Sequence, residues 1–574
     1  MMRTLRRLVL PPVMMLAAWS SPAPAQTPTA AAPAAIAQRE VVAPEMAAAD
    51  SLLAAAYPAD QPGAAVLVVR DGRVLLRRAY GMADLELGVP ARPEHVYRIG
   101  SITKQFTAVA TLLLADEGGL SLDDDITKFF PDWPTGGRRI TVEHLLNHTS
   151  GIRSYTGMPE WLPLQRTDLT LEKLIAVFRG QPMDFAPGEG WAYNNSAYIL
   201  LGAIIEKVSG QAYGEFLRTR FFQPLGMADT RYEVHDDVIP RRVPGYRRTD
   251  AGWRNSPYLS MTQPYAAGSL VSTVDDLYRW QRAVAERGLL RPDTWRRAFT
   301  AGRTASGLGT GYGYGWFVGQ ALGRPSIEHG GDIHGFSSNG LWLPEDRLHV
   351  IILSNSERGP GRDPDALSRA VAARALGVPE VPTAVAVDAA KLQDYAGVYR
   401  VSDTERRVLT VEGGSLYSQR GRSPRQEMRP LGGDRFVFPN TGSMVAFERD
   451  AAGRVTAMRL RPRLGPEEAP APRVDEPAPA PPVAVAVAPE VLDRYVGEYE
   501  LTPEFVITVR REGAGLMARA TGQPELHLVA ESETRFAVLE EASVLLEFQR
   551  DASGRTTGLI LHQAGRQMPA RKTR

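Results

Sequence analysis

The spacing of apolar and polar positions changes character along the chain, and each change predicts a different kind of element. Ala64 to Arg70 reads Ala-Ala-Val-Leu-Val-Val-Arg, an apolar run of strand length. Asp71-Gly72 is a hairpin signal, and Arg73 to Ala79 supplies the returning strand. Further on, Ile102, Phe106, Val109 and Leu113 recur at helical spacing, and Glu117-Gly118-Gly119 ends that run. A second helix is predicted over residues 197–208, and Leu348 to Asn355 reads as another buried strand. Strands early, strands late and helices between them predict an antiparallel sheet to which both ends of the region contribute. Folded sequence begins near Glu45, so this first domain is drawn over residues 46–380.

Beyond it the texture becomes one of short alternating strands. Leu392-Gln393-Asp394-Tyr395-Ala396-Gly397-Val398-Tyr399 returns 100 residues later as Leu492-Asp493-Arg494-Tyr495-Val496-Gly497-Glu498-Tyr499. The two copies also end alike, in Phe447-Glu448-Arg449-Asp450 and Phe548-Gln549-Arg550-Asp551. This is an internal duplication of a small all-β unit, over residues 388–464 and 490–570. Residues 465–489 are rich in Pro, Ala, Glu and Val and read as a stiff, extended linker. The pair is expected to carry no chemistry, although it can shape access to a site.

The start of the chain follows a different pattern. Arg3, Arg6 and Arg7 precede an apolar stretch from Leu8 to Trp19, and Ala23-Pro24-Ala25 offers small residues for cleavage. That order predicts a secretory signal peptide over 1–25. The apolar stretch is shorter than the roughly 20 residues that span a bilayer. A flexible Ala/Pro-rich leader is expected over 26–45. The expectation is export, to a periplasm or beyond, with no transmembrane segment in the mature chain.

Composition then narrows the chemistry. A length of 574 residues allows three or four domains, and 44% apolar residues suit packed cores, not disorder. No cysteine occurs, which removes disulfides, thiolate metal sites and a cysteine nucleophile. With 66 basic and 65 acidic residues the net charge is +1, unlike a protein held to nucleic acid by phosphate contacts. Function must therefore rest on a local site.

Three motifs offer one. Ser101 and Lys104 stand one turn apart at the start of the first helix, on one face. A serine oxygen at a helix N-terminus is placed to attack a carbonyl, and a desolvated lysine beside it can act as base. Serine is equally a common cap and lysine a common helix residue, so this pair alone decides little. Tyr193 and Asn195, in Pro187-Gly188-Glu189-Gly190-Trp191-Ala192-Tyr193-Asn194-Asn195-Ser196, supply a proton-transfer group and an amide; the plain alternative is a turn with Asn as helix cap. The third motif is Glu328-His329-Gly330-Gly331-Asp332, whose glycines admit close approach to backbone. His329 and His334 lack zinc spacing, and the stretch from Gly307 to Gly315 lacks a nucleotide-binding pattern. No metal and no cofactor is called for.

Together the three motifs resemble the serine beta-lactamase-like hydrolases, in the branch of class C beta-lactamases, D-aminopeptidases, D-Ala-D-Ala carboxypeptidases and esterases. Leu145-Leu146-Asn147-His148-Thr149-Ser150-Gly151-Ile152 and Tyr312-Gly313-Tyr314-Gly315-Trp316 look like further family segments. The duplicated tail resembles the lipocalin-like barrels appended to some members. The resemblance implies an α+β fold, an antiparallel sheet flanked by helices plus an all-helical subdomain, followed by two small all-β barrel-like domains. It implies Ser101 as acylated nucleophile, Lys104 and Tyr193 as its acid/base partners, and Asn195 on the substrate amide. It places His329, Gly330, Gly331 and Asp332 at the substrate, with the N–H groups of Ser101 and Asp332 as oxyanion hole. Many class C enzymes and carboxypeptidases have Lys-Thr-Gly where this chain has His329-Gly330-Gly331, and imidazole is a weaker anchor for a substrate carboxylate. The expected partner is a small molecule or peptide with an ester or amide carbonyl; the oligomeric state is left open. The leading expectation is a secreted serine hydrolase. The alternatives are a peptidoglycan-directed D-Ala-D-Ala carboxypeptidase or D-aminopeptidase, a beta-lactamase, and a non-catalytic binding protein on this scaffold.

Overall fold

The computed structural model describes residues 39–249, 251–403, 405–421, 423–477, 485–502, 505–521, 525–539, 544–563 and 566–574. The predicted signal peptide lies outside the described residues, as does the predicted leader up to residue 38.

The first domain is built on one antiparallel sheet. Its strands are β1 (Val41–Val42), β2 (Ala64–Arg70), β3 (Arg73–Tyr80), β4 (Phe317–Ala321), β5 (Arg324–Ile333), β6 (Phe336–Leu343) and β7 (Leu348–Ser354). Their spatial order is β1-β3-β2-β7-β6-β5-β4. The early hairpin thus joins the late strands through β2 and β7, with Ala64 opposite Ser354 and Arg70 opposite Leu348. The Asp71-Gly72 hairpin falls where its sequence pattern puts it, and both strands match the expected runs to within a residue.

β2 and β7 are almost wholly buried and mostly apolar because both their faces are covered. On one face Val66, Val68, Val350 and Ile352 pack with Met46, Leu53 and Val371, from a turn and two helices, α1 (Ala47–Ala56) and α5 (Pro364–Leu376). On the other face lie α2 (Thr103–Asp116), α3 (Asn195–Ser209) and α4 (Val274–Ala285). There Phe106 of α2 stacks on Trp280 of α4 with ring centroids 4.1 Å apart. Smaller helical segments between α2 and α4 complete the helical part.

The tail forms two closed eight-stranded antiparallel barrels. The first runs from Gly397–Arg400 to Ala471–Val474, the second from Gly497–Thr502 to Arg566–Lys572. The duplication survives in fine detail. Tyr395, Phe436 and Phe447 fill the first core where Tyr495, Phe536 and Phe548 fill the second. The Tyr399 hydroxyl donates to the Tyr395 carbonyl at 2.8 Å, and Tyr499 repeats this on Tyr495 at 2.7 Å.

Two expected boundaries shift. Val41 and Val42 pair with Arg77 and Leu76, so the folded domain starts inside the predicted leader; a two-residue strand is too short to show a period. Residues 471–474, read as linker, instead close the first barrel, where Val474 pairs with Val398 and Pro472 with Ala457. Proline cannot donate to a ladder, so this closing strand is short and its composition resembles a tether. Among the described residues, no helix is long and apolar enough to cross a membrane.

Candidate active site

Chain entry into α2 creates the centre of the site. Gly100–Ile102 form a 3-10 turn that runs directly into the helix, which leaves Ser101 partly exposed and Lys104 fully buried one turn on. Lys104 Nζ lies 3.1 Å from Ser101 Oγ, 2.8 Å from Asn195 Oδ1 and 2.8 Å from the Ala267 carbonyl oxygen. Burial pushes its pKa well below the ordinary lysine value. The rings of Tyr193 and Tyr198, 4.8 and 5.5 Å from the nitrogen, are its aromatic neighbours. A neutral amine satisfies this geometry fully: two N–H groups go to Asn195 Oδ1 and Ala267 O, which only accept. The lone pair is left for the Ser101 hydroxyl proton.

The second motif resolves into two adjacent asparagines with different tasks. Asn194 is the cap: its side chain accepts from Ala197 N at 2.9 Å, and its amide donates to the Ile152 carbonyl. Asn195 begins the helix and reaches Lys104, while its Nδ2 donates to Thr156 Oγ1 at 2.9 Å. One of its two amide hydrogens is therefore committed to the protein. Tyr193 is half-buried with its hydroxyl shielded from solvent, and among the described residues that hydroxyl has no hydrogen-bond partner of normal geometry. Burial raises its pKa, opposed in part by the neighbouring Ser101 hydroxyl, so the phenol stays protonated at neutral pH.

The third motif lies on β5. Strand alternation turns His329 and Gly331 to the helical face, and Glu328 and Gly330 to the opposite one. Gly331 has no room for a side chain: a Cβ there would collide with the Ile99 carbonyl and Ser338 Oγ. Gly100, at φ +50°, brings the turn of Ser101 against the Asp332 backbone. The Asp332 carboxylate itself is tied to Arg358 Nε at 2.6 Å.

The imidazole of His329 is neutral, for a traceable reason. Its Nδ1 is 2.6 Å from the Gly330 carbonyl, which can only accept, so Nδ1 carries the hydrogen. Nε2 then accepts from the Tyr312 hydroxyl at 2.9 Å. Burial, with Lys104 nearby, drives its pKa down to about 3. His334 is engaged elsewhere, with Gln165 Oε1 at 3.0 Å from its Nε2. Among the described residues there is no cluster of His, Cys, Asp or Glu able to hold a metal.

The structure therefore brings Ser101, Lys104, Tyr193, Asn195, His329, Gly331 and the Asp332 backbone around one centre. Gly330 faces away, toward Arg358 and Asp365. Two residues that received no role from the sequence belong to the wall. His148 is fully buried, with its ring 4.5 Å from those of both Tyr193 and Tyr312. Its Nδ1 accepts from Asn194 N at 3.2 Å, which ties the second motif to the segment Leu145 to Ile152. Tyr312 orients His329. Both sit in the two phrases that resemble family segments, and those phrases were the available signal.

The site thus sets a buried lysine beside a serine at a helix start, on a frame of one antiparallel sheet and flanking helices. Residues 41–374 match the beta-lactamase family, and the chain belongs to that family. This is the serine hydrolase family of penicillin-binding, D-aminopeptidase and D-amino acid amidase type. Residues 381–472 and 481–572 each match a domain of unknown function, DUF3471. Penicillin-binding protein 4* of Bacillus subtilis is 28% identical over 67% of this chain and 89% of its own length. D-aminopeptidase of Gluconobacter oxydans is 30% identical over 58% of this chain, which spans only 62% of that protein. The D-amino acid amidase of Ochrobactrum anthropi, solved with L-phenylalanine amide, shares the fold with a TM-score of 0.51. It is 26% identical over 58% of this chain and 97% of its own.

Proposed function

We propose that the protein is an exported serine hydrolase that cleaves an ester or amide through an acyl-enzyme on Ser101. The observation that carries this is the buried Lys104, held by two carbonyl oxygens with its remaining valence toward Ser101 Oγ. The Ser101 oxygen attacks the substrate carbonyl carbon while its proton passes to the Lys104 amine. The N–H groups of Ser101 and Asp332 receive the oxyanion. Collapse breaks the bond to the leaving group, which takes a proton delivered from Lys104 through Tyr193. Water then attacks the acyl-enzyme, loses its proton back along the same route, and releases the acid with Ser101 restored. The free amide hydrogen of Asn195 is available to a substrate carbonyl. Export rests on the signal-peptide pattern of residues 1–25.

The neutral, hydrogen-bonded His329 bears on the substrate. It brings no positive charge to a free carboxylate, which disfavours C-terminal carboxylate substrates and beta-lactams relative to esters and amides. Within that group, the similarity to a D-aminopeptidase and a D-amino acid amidase supports D-amino-acid amides and short D-peptides as the second class to assay, after simple esters.

The test is a panel of p-nitrophenyl esters, D-amino-acid amides, D-alanyl-D-alanine peptides and nitrocefin, run on wild type and Ser101→Ala. Turnover of esters or amides is expected, with a loss of at least about 10³-fold in Ser101→Ala. A fluorophosphonate should add mass at Ser101. Equal turnover by the two proteins, or no labelling of folded wild type, would sink the proposal.

A further inference from the structure

Glu328 lies next to His329 on β5 but points the other way, and it is completely buried. Its Oε1 accepts from Arg463 Nη1 at 2.6 Å, a pair in which the arginine side chain is only 9% exposed. Arg463 does not belong to the hydrolase domain. It follows the first barrel's strand Val455–Arg461, where the chain runs against the hydrolase domain before returning to close the barrel.

The same short segment touches a second part of the wall. Glu467 N donates to the Gly309 carbonyl at 2.8 Å. Gly311 lies against the Gly465 carbonyl so closely that a Cβ would collide with it. Gly309 and Gly311 belong to the loop that leads into Tyr312, the residue that donates to His329 Nε2. Residues 463–467 of the first barrel therefore brace His329 from behind, through Glu328, and from the side, through the Tyr312 loop.

The other cations near Glu328 are held mainly by other groups. Arg358 is engaged by Asp332, Asp363 and Asp365. Arg369 lies near enough to feel the Glu328 charge but bonds the Asp365 carbonyl, at 3.3 Å. Among the described residues Arg463 is therefore the cation in direct contact with Glu328. Glu328 Oε2 has no partner among the described residues. A buried carboxylate deprived of its cation is strongly unfavourable, so the strand carrying it would shift or admit water. A displacement near 1 Å at an active site can lower turnover about 100-fold.

The duplication supplies an internal control. At the 101-residue offset that aligns Arg449-Asp450 with Arg550-Asp551, Pro462, Arg463 and Leu464 correspond to Gln563, Ala564 and Gly565. The second copy has no arginine at this point.

We propose that Arg463 of the first barrel is a positioning residue for the hydrolase site, neutralising Glu328 and so holding the His329 strand and the Tyr312 loop in working geometry. The first barrel is then a structural part of the active site, whereas the sequence suggested a spacer. This rests on the Ser101 reading, and the experiment separates the two. In the full-length protein, Arg463→Met is expected to lower kcat roughly 10- to 100-fold with a smaller change in KM. Arg463→Lys should fall between Arg463→Met and wild type. Glu328→Gln combined with Arg463→Met should recover most of the loss, because an uncharged side chain needs no counter-ion. Hydrogen exchange at the amides of residues 329–332 should quicken in Arg463→Met and slow again in the double variant, a readout that needs no turnover. Wild type without Ser101-dependent activity would defeat the hydrolase reading and leave the exchange data to decide this one. Wild-type kinetics and exchange in Arg463→Met, or no recovery in the double variant, would overturn the proposal.

Discussion

The active centre and the barrels treat their buried tyrosines differently. In the centre Lys104, His148 and His329 are buried with pKa values displaced toward the neutral form, and among the described residues the Tyr193 hydroxyl and His148 Nε2 have no partner of normal geometry. In the barrels the equivalent tyrosines are paired: Tyr395 with Asp434 at 2.7 Å, Tyr495 with the Glu533 carbonyl at 2.8 Å, and Tyr399 and Tyr499 with backbone carbonyls. Both regions are well packed, so packing does not separate them. Unpartnered buried atoms occur in both regions, including Arg407 Nε, Arg550 Nε and Thr556 Oγ1 in the barrels. The difference is that the centre gathers a lysine, two histidines and a tyrosine shifted toward their neutral forms around one serine.

One substitution made in both regions tests this most sharply. Tyr193→Phe should reduce kcat by about 10²- to 10⁴-fold, the range for a lost acid/base group. It should leave stability unchanged or higher by up to ~1 kcal/mol, because among the described residues the removed hydroxyl has no partner of normal geometry. Kinetics and chemical denaturation on the same preparation check both halves; a large loss of stability would break the contrast.

Acid should separate the regions next. His148, His329 and His349 are buried with lowered pKa values, His329 at about 3 and His349 at about 4, chiefly through burial. An unfolded histidine titrates near 6.5, so below that pH the unfolded hydrolase domain binds protons that the folded one refuses. Its stability is then full above about pH 6.5 and falls by a few kcal/mol toward pH 4. The barrel histidines His527 and His562 are not buried. Calorimetry at pH 4 should show the hydrolase domain unfolding ahead of the barrels; the same order and midpoints at pH 7 and pH 4 would contradict it.

The smallest effect is the counterpart of the first. Tyr499→Phe removes a satisfied hydrogen bond in the second barrel and should cost about 1 kcal/mol, read as a lower unfolding midpoint, with unchanged turnover. Altered turnover would mean that the second barrel also acts on the site.

Local pattern determined a large part of this protein. The Asp71-Gly72 hairpin, helix α2 with Lys104 one turn after Ser101, and the duplicated all-β units were all legible, because each shows in runs of neighbouring residues. Resemblance of the three motifs added the grouping of Ser101, Tyr193 and His329 that no spacing could supply. Strands β4, β5 and β6 were not read individually, although β5 carries the third motif, and the short strands Val41–Val42 and Ala471–Val474 escaped since each is held by its partner strand and not by its own period. Tertiary structure alone decided the rest. Only burial makes Lys104 a poor cation, only the Gly330 carbonyl and Tyr312 fix the His329 tautomer, and only the docking of the first barrel sets Arg463 against Glu328, 135 residues away. Those properties depend on solvent exclusion and on partners brought from distant parts of the chain, which the order of residues does not display.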